Sequence, residues 1–170
     1  MPVFCRDAGD GDVDGEDGAD DPQLAIASEI LPPILELLPN LKSSDPKESA
    51  AAAAEMVALT NNTSTEEDTL VGRSGALEVL GQVLSKGNEE GRVSAASALA
   101  NLIANSDANK KSIIAMPEVI PAILNVSLVS EKGAAVSARA LLNLVSNKEA
   151  VLLLCRLDGA IGRDSEKSAS

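Results

Sequence analysis

The chain has 170 residues with 14 basic and 26 acidic side chains, a formal net charge of −12, and no His, Trp or Tyr. Without His, the Ser–His and Cys–His nucleophile pairs and the His-containing zinc sites are excluded, and catalysis would need Lys, Cys or carboxylates alone. The sequence also has no Gly-rich phosphate loop and no clustered carboxylates, so we predict no enzyme, no catalytic residue, no metal site and no cofactor. Two features argue against nucleic-acid binding. The net negative charge repels phosphates, and the single aromatic residue, Phe4, leaves bases without a stacking surface in the rest of the chain.

Residues 1–22 hold one Arg and eight acidic residues and alternate Asp with Gly. So little apolar surface does not offset the entropy of ordering, and we expect a disordered, solvated acidic leader. Part of it also matches a twelve-residue calcium loop, with an Asp at position 12 and no room for an entering helix. The matching residues are Asp10, Asp12, Asp14, Gly15 and Asp21. A second hypothesis is an autoinhibitory leader that folds back onto basic residues of the body.

Cysteine usage and apolar runs bear on the compartment. Cys5 and Cys155 lie far apart, and acidic residues and glycines begin within the first ten positions, unlike a secretory signal. The longest apolar runs, 50–54 and 150–155, are much shorter than a membrane span. We therefore predict a protein of a reducing, intracellular compartment, the cytoplasm, with the nucleus as the alternative.

From Gln23 onward the sequence repeats with a period near 42 residues. The segment Ala-Leu-Ala-Asn-Leu at 98–102 recurs as Ala-Leu-Leu-Asn-Leu at 140–144. A second segment, 118–124, aligns with others at comparable spacings, namely 29–35, 75–80 and 159–161. A fixed period of this length is typical of stacked helical repeats.

Within each period the apolar residues recur at spacings of three and four, which predicts helices and no strands. Two such stripes are Leu77, Leu80, Val83 and Leu84, and Val93, Ala96, Leu99, Leu102 and Ile103. Ser64 and Glu67 form a capping box that opens a short helix. Glycines are predicted to mark helix ends, at Gly72, Gly75, Gly87, Gly91, Gly133 and Gly159, and prolines to mark first turns, at Pro32, Pro33, Pro117 and Pro121.

These residues resemble the armadillo repeat, a unit of about 42 residues with a short first helix and two longer antiparallel helices. The third-helix pattern Ala-x-x-x-Leu-x-Asn-Leu is matched at 95–102 and, with Ser137 in place of Ala, at 137–144; Asn109-Lys110 stands where the family has Asn-Lys before its first helix. The resemblance covers about 28–162 and implies a right-handed α-solenoid, with HEAT-like repeats as the alternative. The implied organisation is a leader at 1–22, a repeat domain at 23–162 with units 28–63, 64–106, 107–147 and a partial 148–162, and a disordered tail at 163–170.

The resemblance also implies a function, the binding of an extended peptide or partner protein in the concave groove lined by the third helices. The implied groove residues are Asn101, Asn143, Ser97, Arg139 and Arg92. The Asn amides would hydrogen-bond a ligand backbone, or else bond to their own helix or to neighbouring loop carbonyls. Import adaptors of this family carry Trp where this chain has Ala54, Ser97 and Arg139, so a receptor for basic import signals is not expected, and the basic side chains favour an acidic or neutral ligand.

The C-terminal end of the predicted array is a second candidate for partner contact. After about residue 161 the sequence turns polar, so the fourth unit is incomplete and the preceding helix is expected to leave an apolar face open, unless 150–157 covers it. An open apolar face favours self-association or a partner. The alternative function is therefore a structural or regulatory subunit that docks through this end.

Overall fold

The computed structural model describes residues 22–146, 148 and 151–152, and the side chains from residue 29 onward. In this part of the chain eight α-helices follow one another and no residue lies in a β-strand, which confirms the all-α class. The helices are α1 (Pro22–Leu41), α2 (Pro46–Leu59), α3 (Thr65–Val71), α4 (Leu77–Lys86), α5 (Glu89–Leu102), α6 (Asp107–Ile114), α7 (Val119–Val126) and α8 (Glu131–Val145). The leader with its calcium-loop match, Cys5, Cys155, most of the partial fourth unit and the tail lie outside the described residues.

Side-chain caps explain where several helices begin. Ser64 and Glu67 form the predicted capping box of α3, in which Ser64 Oγ accepts from the N–H of Glu67 and the Glu67 carboxylate accepts from the N–H of Ser64. Each such bond satisfies a helix N–H that has no partner within the helix. Four further helices, α2, α5, α6 and α8, are capped in the same way by Asp45, Asn88, Ser106 and Ser130.

Between α3 and α4 the chain kinks. The segment Gly72–Ala76 joins the two helices, and Gly75 within it has a non-helical backbone with a φ of 89°. That left-handed backbone is strained for residues with a Cβ, so Gly75 lets α4 start in a new direction. Gly72, Gly75 and Gly87 thus lie at helix boundaries as predicted.

Four of the predicted helix boundaries, at two prolines and two glycines, lie inside helices instead, and packing explains them. Pro32 and Pro33 lie inside α1, where Ile34 and other buried side chains hold the helix against the core despite the missing N–H groups. Gly91 and Gly133 lie inside α5 and α8, at the third residue of each helix, and both are buried. A small residue is needed there because an added Cβ would meet Ala50 near Gly91 and the Val126 carbonyl near Gly133.

The helices pack in a regular order. The last helix of each predicted unit contacts its counterpart in the next, α2 against α5 and α5 against α8, and α4 contacts α7 in the same way. Both predicted apolar stripes are buried, and they form one continuous core. The largest fully buried side chains are Ile34, Met56, Leu77, Leu80, Leu84, Leu99, Leu102, Ile103, Ile113, Ile120, Ile123 and Leu144.

One side of α8 remains apolar and exposed. Ala100 on α5 and Ile103 directly after it are buried, whereas their counterparts 42 residues later, Leu142 and Val145, are 69% and 42% exposed. Exposed large apolar residues near this end are Leu128, Leu142, Val145, Val151 and Leu152. No helix in the described part of the chain covers this side of α8.

Candidate functional site

Helices α2, α5 and α8 lie side by side, and residues 42 or 43 positions apart form rows across them. Within each helix the row members are spaced by three or four residues, so they share one side. All are partly or fully exposed. We call this surface the three-helix face, formed by Ala51, Ala54 and Ala58 on α2, Ser94, Ser97 and Asn101 on α5, and Val136, Arg139 and Asn143 on α8.

The two predicted Asn residues tie neighbouring helices together. Asn143 Nδ2 donates to the carbonyl of Ala100 at 2.9 Å, and Asn101 Nδ2 donates to Thr60 Oγ1 at 3.3 Å. Thr60 Oγ1 in turn donates to the carbonyl of Met56 at 2.9 Å. The amide nitrogens therefore make intramolecular bonds, but to a carbonyl of the neighbouring helix and to a Thr hydroxyl rather than to their own helix or to loop carbonyls.

The amide oxygens of the same side chains remain open. Neither Asn101 Oδ1 nor Asn143 Oδ1 accepts a hydrogen bond from any described residue. In the described part of the chain, Arg92 Nε is the one side-chain nitrogen or oxygen that is both buried and without a hydrogen-bond partner. The two Oδ1 atoms also lack a partner, so they are not buried and have contact with solvent. Each amide is thus held by its nitrogen and presents its oxygen outward.

Ser97 and Arg139 also come together on this face. Arg139 Nη2 donates to both the carbonyl oxygen and Oγ of Ser97, each at 3.3 Å. The guanidinium is exposed, so a positive charge lies above the junction of α5 and α8.

Arg92 does not belong to this face. Five residues separate it from Ser97, a rotation of about 140° around the axis of α5, which turns its side chain toward the protein interior. Its Nε is buried without a hydrogen-bond partner. The α5 period thus places Arg92 on the side opposite Ser97, away from the three-helix face, so this geometry does not support its predicted place in the groove.

A depression lies near each end of α5 on this side of the molecule. One, of about 340 Å³, lies near the N-termini of α5 and α8 and is lined by Ala54, Glu89, Glu90, Val93, Ser94, Ser130 and Lys132. The other, of about 330 Å³, lies near the C-termini of α2 and α5, and we call it the Asn/Thr pocket. It is lined by Thr60, Asn61, Asn62, Thr63, Asp68, Asn101, Ala104 and Asn105.

Asp68 is the residue that sequence analysis missed. Its side chain is almost fully buried, and Thr63 Oγ1 donates to Asp68 Oδ1 at 2.5 Å. Burial raises the pKa of the Asp68 carboxyl from 3.8 to about 6; the Thr63 hydrogen bond opposes this shift and the neighbouring Glu67 adds to it. In the sequence Asp68 is the last of three consecutive acidic residues in α3, so only its tertiary surroundings distinguish it.

Asp68→Asn should remove a pH dependence of stability. The folded state binds the carboxyl proton more tightly than the unfolded chain, so the contribution of Asp68 to the free energy of unfolding falls as the pH rises from about 4 to about 6 and then levels off. Over the range from pH 4 to pH 7.5 the pKa shift corresponds to about 2 kcal/mol. In urea unfolding experiments from pH 4 to pH 7.5, the free energy of unfolding of the variant, relative to that of the wild type, should rise by about this amount. A constant difference between the two proteins across the range would contradict the pKa assigned to Asp68.

Metal ligands do not gather in the described ranges, where no three acidic or cysteine side chains lie close enough to hold an ion. None of the described helices combines the length and apolar character that crossing a membrane requires. Comparisons with protein-family models, curated proteins and solved structures found no match for this chain.

Proposed function

We propose that the chain is a non-catalytic protein-interaction module of the cytoplasm, built as an armadillo-like right-handed α-solenoid. In this proposal the three-helix face is the concave groove, and it binds an extended segment of a partner protein. The side-by-side packing of α2, α5 and α8 and the rows of residues at a spacing of 42 or 43 support this arrangement.

The outward-facing amide oxygens carry the proposal. Asn101 and Asn143 occupy the same position on neighbouring helices, and their nitrogens are fixed by bonds to the preceding helix. Packed helices lie about 8–10 Å apart, and an extended chain advances about 3.3 Å per residue, so a peptide crossing the helices would meet an amide oxygen about every third residue. Each oxygen would accept a backbone N–H of the ligand, which anchors the chain without demanding a particular sequence.

The remaining side chains of the face suit an extended backbone. Small residues, Ala54 and Ala58 on α2 and Ser94 on α5, leave room for a close approach. Arg139 would attract a carbonyl or an acidic side chain where the ligand crosses α8. We therefore expect a neutral or acidic residue of the ligand at that position.

Peptide selection from a displayed random library, followed by fluorescence polarisation, tests the proposal. Asn101→Ala and Asn143→Ala should each lower the affinity for the selected peptide about 3- to 10-fold, because each substitution removes one hydrogen bond to the ligand. Asn125→Ala is the matched control, since Asn125 is exposed on α7, away from the face. Unchanged binding by the Asn101→Ala/Asn143→Ala double variant would overturn the groove.

A second candidate function is a regulatory or structural subunit that docks through the C-terminal end. The exposure of Leu142 and Val145, where α5 has buried residues, favours it. Light scattering over a concentration series, with concentration read by refractive index, would show association of the wild type. Loss of that association in Leu142→Glu with unchanged helicity would support docking through this end, and a concentration-independent monomer would argue against self-association.

A further inference from the structure

The Asn/Thr pocket is lined by hydrogen-bonding groups and by one carboxylate, with no Lys or Arg. Its oxygen atoms come from the hydroxyls of Thr60 and Thr63, from the amides of four Asn residues, and from Asp68. Asn101 lines both the pocket and the three-helix face. The pocket differs from that face because its carboxylate, Asp68, lies on α3.

The two oxygens of Asp68 have different surroundings. Oδ1 accepts the hydrogen bond from Thr63 Oγ1, whereas Oδ2 has no partner among the described residues. Among the described residues, Arg92 Nε is the only side-chain nitrogen or oxygen that is fully buried without a partner. Asp68 Oδ2 therefore keeps some contact with solvent. Asp68 is 1% exposed and lines the pocket, and Oδ2 is its carboxylate oxygen that is free to accept a further hydrogen bond there.

The surrounding backbone adds negative potential. α2 ends at Leu59 and α5 ends at Leu102, and both C-termini border the pocket. Helix C-termini carry a partial negative charge from their unpaired carbonyls. The carboxylate and the helix ends together favour a cation and leave the anionic form of Asp68 without a counter-charge.

We propose that the Asn/Thr pocket binds a primary ammonium group through Asp68 Oδ2. An ammonium is a compact charge with three N–H donors, which suits one carboxylate oxygen and the neighbouring amide and hydroxyl oxygens. The group has two sources, the side chain of a lysine in a protein ligand or a free polyamine. The proposal goes beyond the groove, because Asp68 is not part of the three-helix face and Asn143 does not line the pocket, so the two kinds of binding are tested by different variants.

An NMR titration of the full ¹⁵N-labelled chain tests the site with acetyl-Gly-Lys-Gly-amide, with spermidine, and with the norleucine analogue of the peptide as the uncharged control. A saturable shift of the Asn101 and Asn105 side-chain amide signals is expected with at least one amine and not with norleucine. A response to the peptide alone identifies a lysine side chain as the source, and a response to spermidine alone identifies a polyamine. No saturable shift with either amine overturns the proposal.

Two controls separate the site from general charge attraction. Asp68→Asn should weaken amine binding at least tenfold, whereas Glu66→Gln, an equal charge change at an exposed position of the same helix, should change it less than twofold. Equal weakening by both variants overturns the site. In the wild type the affinity should fall as the pH drops from 7.5 to 5 and Asp68 takes up a proton; Glu67, on the same helix, is the neighbouring charge that raises the pKa of Asp68 further. An affinity that does not change over this range also overturns it.

Discussion

Asn109→Ala is expected to lower the free energy of unfolding by about 2–4 kcal/mol, one of the two largest effects of a single substitution that we expect. Asn109 is buried, and its Nδ2 donates to the carbonyls of Asp68 at 2.6 Å and of Leu102 at 2.8 Å. Alanine removes both bonds. The Asp68 carbonyl still accepts from the N–H of Gly72, but the Leu102 carbonyl loses its partner, which costs about 1–3 kcal/mol where water does not reach. Urea unfolding monitored by circular dichroism measures the loss.

The control for this prediction is the same substitution at an exposed helical position. Asn125→Ala makes an identical chemical change on α7 and should alter stability by less than about 0.5 kcal/mol. If Asn109→Ala were as mild as Asn125→Ala, the two bonds from Asn109 would contribute nothing to stability.

Gly133→Ala is expected to destabilise the protein by about 3 kcal/mol. A Cβ on Gly133 would overlap the carbonyl oxygen of Val126, which is backbone and does not move out of the way as a side-chain tip does. Relief requires α8 to shift away from α7 and opens the core between them. Thermal unfolding by calorimetry should show a lower midpoint for the variant.

Gly91→Ala provides a matched comparison, because Gly91 is the third residue of α5 as Gly133 is of α8. Both N–H groups are bound by the cap, Gly91 by Asn88 Oδ1 at 2.8 Å and Gly133 by Ser130 Oγ at 3.1 Å. At Gly91 the new Cβ would meet Asn88 Oδ1 at 3.0 Å and Ala50 Cβ at 3.3 Å. The gain in helix propensity offsets part of that crowding. The loss in the free energy of unfolding should therefore be smaller for Gly91→Ala than for Gly133→Ala by about 2 kcal/mol or more. Equal losses at the two positions would show that crowding against Val126 is not the cause.

Local signals predicted the helices well. The spacing from Leu77 to Leu84 identified the buried side of α4, and Ser64 with Glu67 identified the start of α3, because each signal acts within a few residues. Pro32 and Pro33 gave a wrong prediction, because prolines favour the first turn of a helix but these two lie inside α1. Burial of Ile34 and its neighbours outweighed that local preference.

Parts of the site that depend on distant contacts were not predictable. Asp68 is buried because the loop after α2 folds over it, and nothing in its own neighbourhood indicates this. Asn109 was predicted to precede a helix, yet it lies within α6 and reaches carbonyls 41 and 7 positions away. Arg92 is different, because the helical period alone would have placed it away from Ser97; the sequence held that information.

The ties made by the Asn residues set how the chain could change in length during evolution. Asn143 binds the carbonyl of Ala100, and the residue one period earlier is Val57 on α2. Deleting a whole period of 43 residues would bring Asn143 opposite the Val57 carbonyl. Asn101, its present counterpart, bonds instead to Thr60 Oγ1 just after α2, so each junction between helices offers its own acceptor close to the same place. A deletion of any other length would leave the donor facing a different part of its neighbour, so gain and loss of entire periods is the tolerated route.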